Sequence, residues 1–127
     1  MRQSGLVLVK KVRGKGRGVF ARRPIREGVV IEKVPVILVP IESIAEGWRN
    51  PILGCWCFVR NRRTVAIALG YGSLYNHSYR PNARYEEGPA ATMIFTALRN
   101  IRAGEEITIN YNGDTEDRGP VGFDVLE

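Results

Sequence analysis

Gly70-Tyr71-Gly72-Ser73-Leu74-Tyr75-Asn76-His77-Ser78-Tyr79-Arg80-Pro81-Asn82 is the stretch on which the reading of this chain turns. It holds the sole histidine, three of the five tyrosines and two asparagines. An apolar run, residues 64–69, leads into it, and Gly70 and Gly72 let the backbone turn or come close to another group. Pro81 fixes φ and closes the stretch as a turn over residues 79–82. Turn chemistry calls for glycine, proline and short polar side chains, not for this many rings and amides. A polar, aromatic segment entered from an apolar strand suits a ligand. It equally suits a hairpin connection in which His77 is a satisfied structural residue, so the rest of the chain has to decide.

At 127 residues the chain is expected to form one domain with its own core. Its 44% hydrophobic and 25% charged residues are ordinary for a globular protein. The apolar run at residues 6–9 is too short for a signal peptide and is followed by Lys10 and Lys11. No stretch approaches the ~20 apolar residues of a membrane span. Cys55 and Cys57 flank Trp56, and no bridge between them is expected. With one histidine they fall short of a four-ligand zinc set. The expectation is an intracellular, metal-free chain.

The net charge of +6 is unevenly placed. Residues 1–30 carry nine Lys/Arg against Glu27, whereas residues 101–127 carry two Arg against seven acids. A basic arm suits an anionic partner, nucleic acid or a cofactor carboxylate, and the acidic end suits a cationic substrate. Basic residues at strand edges serve equally well as protection against aggregation.

Short strands are expected over residues 6–12, 18–21, 29–39, 53–59, 64–69, 83–87, 91–98 and 106–111, where β-branched and aromatic residues concentrate. Residues 41–50, followed by Pro51, form the best helix candidate. After Tyr111 the composition shifts to Asn, Gly and Asp, an irregular tail. The whole reads as one mainly β domain without repeats or linkers.

Two further motifs stand out. Gly14-Lys15-Gly16-Arg17-Gly18 precedes Val19-Phe20-Ala21, and alternate glycines allow the backbone to lie against a flat or charged ligand. It is neither a P-loop nor a dinucleotide fingerprint, since no Gly-Lys-Ser/Thr and no helix follows. Read alone, it is a Gly-rich hairpin. Residues 103–111, Ala-Gly-Glu-Glu-Ile-Thr-Ile-Asn-Tyr, form a turn and a strand ending in Tyr111, which by itself reads as a half-buried aromatic.

Taken in order, the Gly-x-Gly loop, Asn-His-Ser-x-x-Pro-Asn and Gly-Glu-Glu-Ile-Thr-x-x-Tyr resemble the SET-domain protein lysine methyltransferases. Ile25-Arg26-Glu27-Gly28 and residues 97–105 fit as well, so the resemblance covers roughly residues 5–123. It implies a SET-domain (β-clip) fold of small curved sheets with little helix and a C-terminal pseudoknot, in a single domain over 1–127. Residues 5–112 would be the core, and 113–127 a tail completing the site. The resemblance further implies S-adenosylmethionine against Lys15, Gly16, Arg17 and Gly18, with contacts from Asn76, His77 and Phe123. A β-carbon at Gly16 or Gly18 should then block the cofactor and leave the fold intact. A lysine channel would be walled by Tyr75, Tyr85 and Tyr111, with Tyr111 catalytic.

No metal is implied, and S-adenosylhomocysteine would be the product. The expected partner is a protein or peptide presenting a lysine, with no need for nucleic acid or membrane, and a homodimer is allowed. The expected location is the cytoplasm, or the nucleus or nucleoid for a histone-like substrate. A non-catalytic SET-fold binding module is the alternative. Two departures are plain: relatives commonly carry Cys where this chain has Tyr79 and Asp where it has Asn110. The cysteine clusters that flank many eukaryotic relatives are also absent from this sequence.

Overall fold

The computed structural model describes residues 5–47, 50, 57–121, 125 and 127. Two sheets account for most of them. The first contains β1 (Val7–Val12), β2 (Gly16–Ala21), β9 (Glu106–Ile109) and β6 (Asn76–His77), in the order β1-β2-β9-β6. The second contains β4 (Cys57–Val59), β5 (Thr64–Ala68), β3 (Val30–Pro40), β8 (Thr92–Ala97) and β7 (Ala83–Gly88), in the order β4-β5-β3-β8-β7.

The strands follow their sequence patterns. In β2, Val19 and Ala21 face inward, and Val19 lies opposite Ile107 of β9 in the core. The long strand β3 serves two neighbours in turn: residues 30–35 pair with β8 and residues 36–40 with β5. Pro35 sits at the handover, where a residue without an N–H interrupts the ladder least. The Ile25-Arg26-Glu27-Gly28 and Ile101-Arg102-Ala103-Gly104 phrases meet, with Ile25 and Ile101 exchanging backbone hydrogen bonds of 2.8 and 2.7 Å. That bridge brings β9 in beside β2.

β6 pairs with β9 in parallel, Asn76 opposite Thr108 and His77 opposite Ile109, while every other pairing is antiparallel. A parallel pair needs a long crossover, and residues 78–105, which include the β7–β8 hairpin, supply it. Asn82 locks this crossing from inside. It is 2% exposed, donates to the Glu106 carbonyl at 2.8 Å and accepts from the Thr108 N–H at 2.8 Å. These two bonds occupy backbone groups on one edge of β9 beyond its short pairing with β6.

The expected helix over 41–50 is corrected. Only a 3₁₀ turn, Ile41–Ser43, forms, and Ile44 returns to extended backbone. Pro40 offers no side-chain cap, and Glu46 and Gly47 take positive φ. So short a segment lacks the length to sustain an α-helix without strong caps. The expected strand 53–59 is described only over Cys57–Val59, since residues 51–56 lie outside the described residues, Cys55 among them. Cys57 is a free thiol.

Candidate active site

The hairpin tip comes first. Gly14 and Gly16 take φ of +80° and +76°, and the Lys15 N–H closes the turn on the Val12 carbonyl at 3.0 Å. The tip is fastened to β6 and β9. Asn76 Nδ2 donates to the Arg17 carbonyl at 3.0 Å and to Glu106 Oε2 at 2.7 Å, and Lys15 Nζ lies 3.6 Å from Glu106 Oε1. Glu106 therefore holds both the hairpin cation and the amide of the central motif.

Gly18 sits where these three strands converge. A Cβ there would lie 2.5 Å from Glu106 Oε2, 2.8 Å from Val12 Cγ2 and 2.9 Å from Asn76 Nδ2. For Gly18 the expectation of an intact fold after adding a side chain is thus corrected, because the space is already taken by protein. Gly16 differs: nothing lies within 4 Å of its Cβ position.

His77 and Tyr111 are joined end to end. The Tyr111 N–H donates to His77 Nδ1 at 3.0 Å, and the two rings lie 5.3 Å apart at 60°. Burial lowers the His77 pKa, with Lys15 adding to the effect and Glu127 opposing it. The imidazole is held neutral, as an acceptor at Nδ1 requires. The Tyr111 hydroxyl donates to the Tyr75 carbonyl at 2.6 Å, so the central motif and the end of β9 clasp each other twice.

Tyr75 enters this site by its backbone. Its ring is 1% exposed, stacked on Phe95 at 4.6 Å, and its hydroxyl donates to Glu32 Oε1 at 2.7 Å. Tyr85 is half-buried, edge-on to Phe58 at 4.7 Å, with its hydroxyl 3.4 Å from the Tyr111 carbonyl. Burial raises the pKa of both phenols, that of Tyr75 further through Glu32, so each remains a neutral donor.

Glu32 anchors the turn that carries Tyr75, since its other oxygen receives the Tyr71 N–H at 3.4 Å. Its pKa is raised by burial, against the lowering effect of these two hydrogen bonds. A raised acid binds a proton in the folded state before the unfolded chain does. Its contribution to stability is therefore fully present below the unfolded pKa and lost as pH rises through the folded one. In Glu32→Gln that loss should vanish, so the variant gains on the wild type as pH rises across this window. Denaturant midpoints measured from pH 4 to 8 test this, and parallel curves would refute it.

The profile of the SET domain family matches residues 16–112. The chain belongs to the SET domain family. Among curated relatives, it is 32% identical over 104 residues to the Schizosaccharomyces pombe "Histone-lysine N-methyltransferase, H3 lysine-37 specific", covering 81% of this chain and 71% of that one. It is 34% identical over 115 residues to the human "Histone-lysine N-methyltransferase 2B", spanning 80% of this chain and 4% of that protein. A crystal structure of a Plasmodium falciparum candidate histone methyltransferase superposes with a TM-score of 0.71 at 30% identity, over 87% of this chain and 95% of that one. Membership agrees with the curled, strand-dominated fold.

Of the residues expected at a SET site, Lys15, Gly16, Arg17, Gly18, Asn76, His77, Tyr85 and Tyr111 gather around the β2–β9–β6 junction and the strand end beyond it. Phe123 lies outside the described residues. Among the described residues no cluster of His, Cys, Asp or Glu could hold a metal. Glu32 and Glu106 were not anticipated. Glu106 had a signal, as the acid closing Gly104-Glu105-Glu106 opposite a basic hairpin. Glu32 had none, because a lone acid in a strand reads as solvent-facing.

Proposed function

We propose that this chain is a protein-lysine N-methyltransferase that takes its methyl group from S-adenosylmethionine, with residues 5–112 as its core and 113–127 as a tail completing the site. The observation that carries the reading is the Tyr111 clasp, with its N–H on His77 and its hydroxyl on the Tyr75 carbonyl. A free aromatic at a strand end has no need of two such anchors.

Support for the cofactor comes from the hairpin. Open space over Gly16 leaves room for a ligand against the backbone, and Lys15 offers a cation to a carboxylate. Asn76 and the neutral His77 border the same place. S-adenosylmethionine, when bound, supplies a sulfonium methyl for in-line transfer. The chain's own work is to position the groups and manage protons. Because the Tyr111 hydroxyl donates its hydrogen to Tyr75, its oxygen lone pairs remain to face positive charge. They orient the methyl and the incoming amine, and most of the acceleration comes from that orientation.

A free lysine amine, with pKa about 10.4, must shed a proton to attack. Burial between Tyr85 and Tyr111 and the nearby sulfonium charge favour its neutral form. The rings still attract the cationic donor. The substrate is a protein lysine, and the relatives' names make histones the first choice to test. The site of action is inside the cell, where such substrates are. A SET-fold module that binds without turnover is the rival reading, and transfer of labelled methyl groups to core histones or mixed cell protein decides between them. Absence of label on any protein would reject catalysis.

Tyr85 governs how many methyls are added in this reading. Its hydroxyl, beside the Tyr111 carbonyl, can hold a water or the amine in space that a growing methylammonium needs. We expect mono- or dimethylation from the wild type and a shift toward trimethylation in Tyr85→Phe. Intact-mass analysis of the product checks this; free trimethylation by the wild type, or an unmoved ratio, would refute it.

A further inference from the structure

The two positions at which this chain departs from its relatives converge on one segment. The Tyr79 hydroxyl donates to the Gly119 carbonyl at 2.8 Å. Asn110, 2% exposed, donates through Nδ2 to the Asp117 carbonyl at 2.6 Å. Asn112 Nδ2 adds a second donor to the Gly119 carbonyl at 2.8 Å. Three side chains of the body thus seize two carbonyls of residues 113–121.

That segment is built to be held this way. It folds on itself through Asp114, whose carbonyl and Oδ1 accept the Asp117 and Glu116 N–H groups, and through Asp117 Oδ1, which accepts from Gly119 N–H. Its described residues are half-buried or exposed and none reaches the core, so hydrophobic burial does little to retain it. The clamp also touches the site at both ends. The Tyr79 ring is edge-on to His77 at 4.4 Å, and the segment begins at Gly113, whose Cβ position lies 3.4 Å from the Tyr85 hydroxyl.

We infer that Tyr79 and Asn110 are positioning residues that clamp residues 113–121 over the lysine-channel side of the site, doing by hydrogen bonds what a metal–thiolate tail would do. The inference rests on the methyltransferase reading for its channel, but the clamp itself is independent of turnover. The departures from Cys and Asp are then one coupled change: a phenol long enough to reach the tail, and an amide that can donate where a carboxylate could not.

The test uses the full chain, as wild type, Tyr79→Phe and Asn110→Asp. Tyr79→Phe keeps the ring on His77 and removes one donor; Asn110→Asp keeps the acceptor for the Asn112 N–H and removes the other. Hydrogen exchange should quicken by roughly fivefold in each, the equivalent of one hydrogen bond's net worth, at the Asp117 and Gly119 amides and not in β9. With core histones as the probe, KM for the protein should rise several-fold. Calorimetric affinity for S-adenosylmethionine should hold in Tyr79→Phe. A chelator should change none of these values.

Unchanged tail exchange in Tyr79→Phe overturns the clamp, even if Asn110→Asp fails to fold. Faster tail exchange with an unmoved KM overturns its service to the channel. A wild type that methylates nothing would sink the proposed activity instead, and the exchange result would still decide the clamp.

Discussion

Tyr111→Phe should lose about 10²-fold or more in turnover while binding S-adenosylmethionine nearly as well as the wild type. The ring stays, and with it the contact to His77 and the packing against the core. The N–H bond to His77 Nδ1 also stays, because it belongs to the backbone. Only the hydroxyl goes, and with it the 2.6 Å bond to the Tyr75 carbonyl. One lost hydrogen bond costs about 1 kcal/mol of stability. A tyrosine that merely packs would therefore show a small fall in Tm and full activity. A tyrosine whose oxygen faces the reacting methyl would show the same small fall and a collapse in kcat. Single-turnover methyl transfer, thermal melting and calorimetry on the same preparation separate the two, and retained turnover would reduce Tyr111 to a structural aromatic.

The sequence carried much of this site because its residues are odd for their places. Asn76, His77 and Tyr111 are more than a turn and a strand end require, and each makes a contact across the junction. The strands were legible because their alternating apolar residues match inward faces, as Val19 and Ala21 do in β2. β6 was not legible. Two residues carry no period, and Asn76–His77 becomes a strand only because β9 lies alongside in parallel.

Tertiary partners decided the rest. Tyr75 and Tyr85 are both tyrosines near the central motif, yet a carboxylate from β3 draws the Tyr75 ring into the core. Nothing in residues 70–82 announces Glu32, which lies 43 positions before Tyr75. The helix candidate failed for the opposite reason, with adequate local composition but neither caps nor length. Tyr79 and Asn110 were noticeable only as departures from a family pattern, and their common purpose needed the tail in place.

Gly18→Val should cost both stability and cofactor, whereas Gly16→Ala should separate them. At Gly18 the added carbon meets Glu106, Val12 and Asn76, all closer than 3.0 Å. Relief requires moving the Asn76 amide off the Arg17 carbonyl or Glu106, or opening β2 from its neighbours. Overpacking of this kind costs about 1–3 kcal/mol, a fall of roughly 5–10 °C in Tm for a domain of this size. Displacing Asn76 should also lower S-adenosylmethionine affinity by about tenfold or more. At Gly16 there is no clash, and an alanine pays only for its φ of +76°, about 1–2 kcal/mol. If the cofactor lies against this backbone, even that single methyl intrudes on it, and affinity should fall further than the Tm change explains. Calorimetry well below the melting point of each variant makes the comparison. Unchanged affinity in Gly16→Ala would mean that the tip is only a turn, and that the cofactor sits elsewhere.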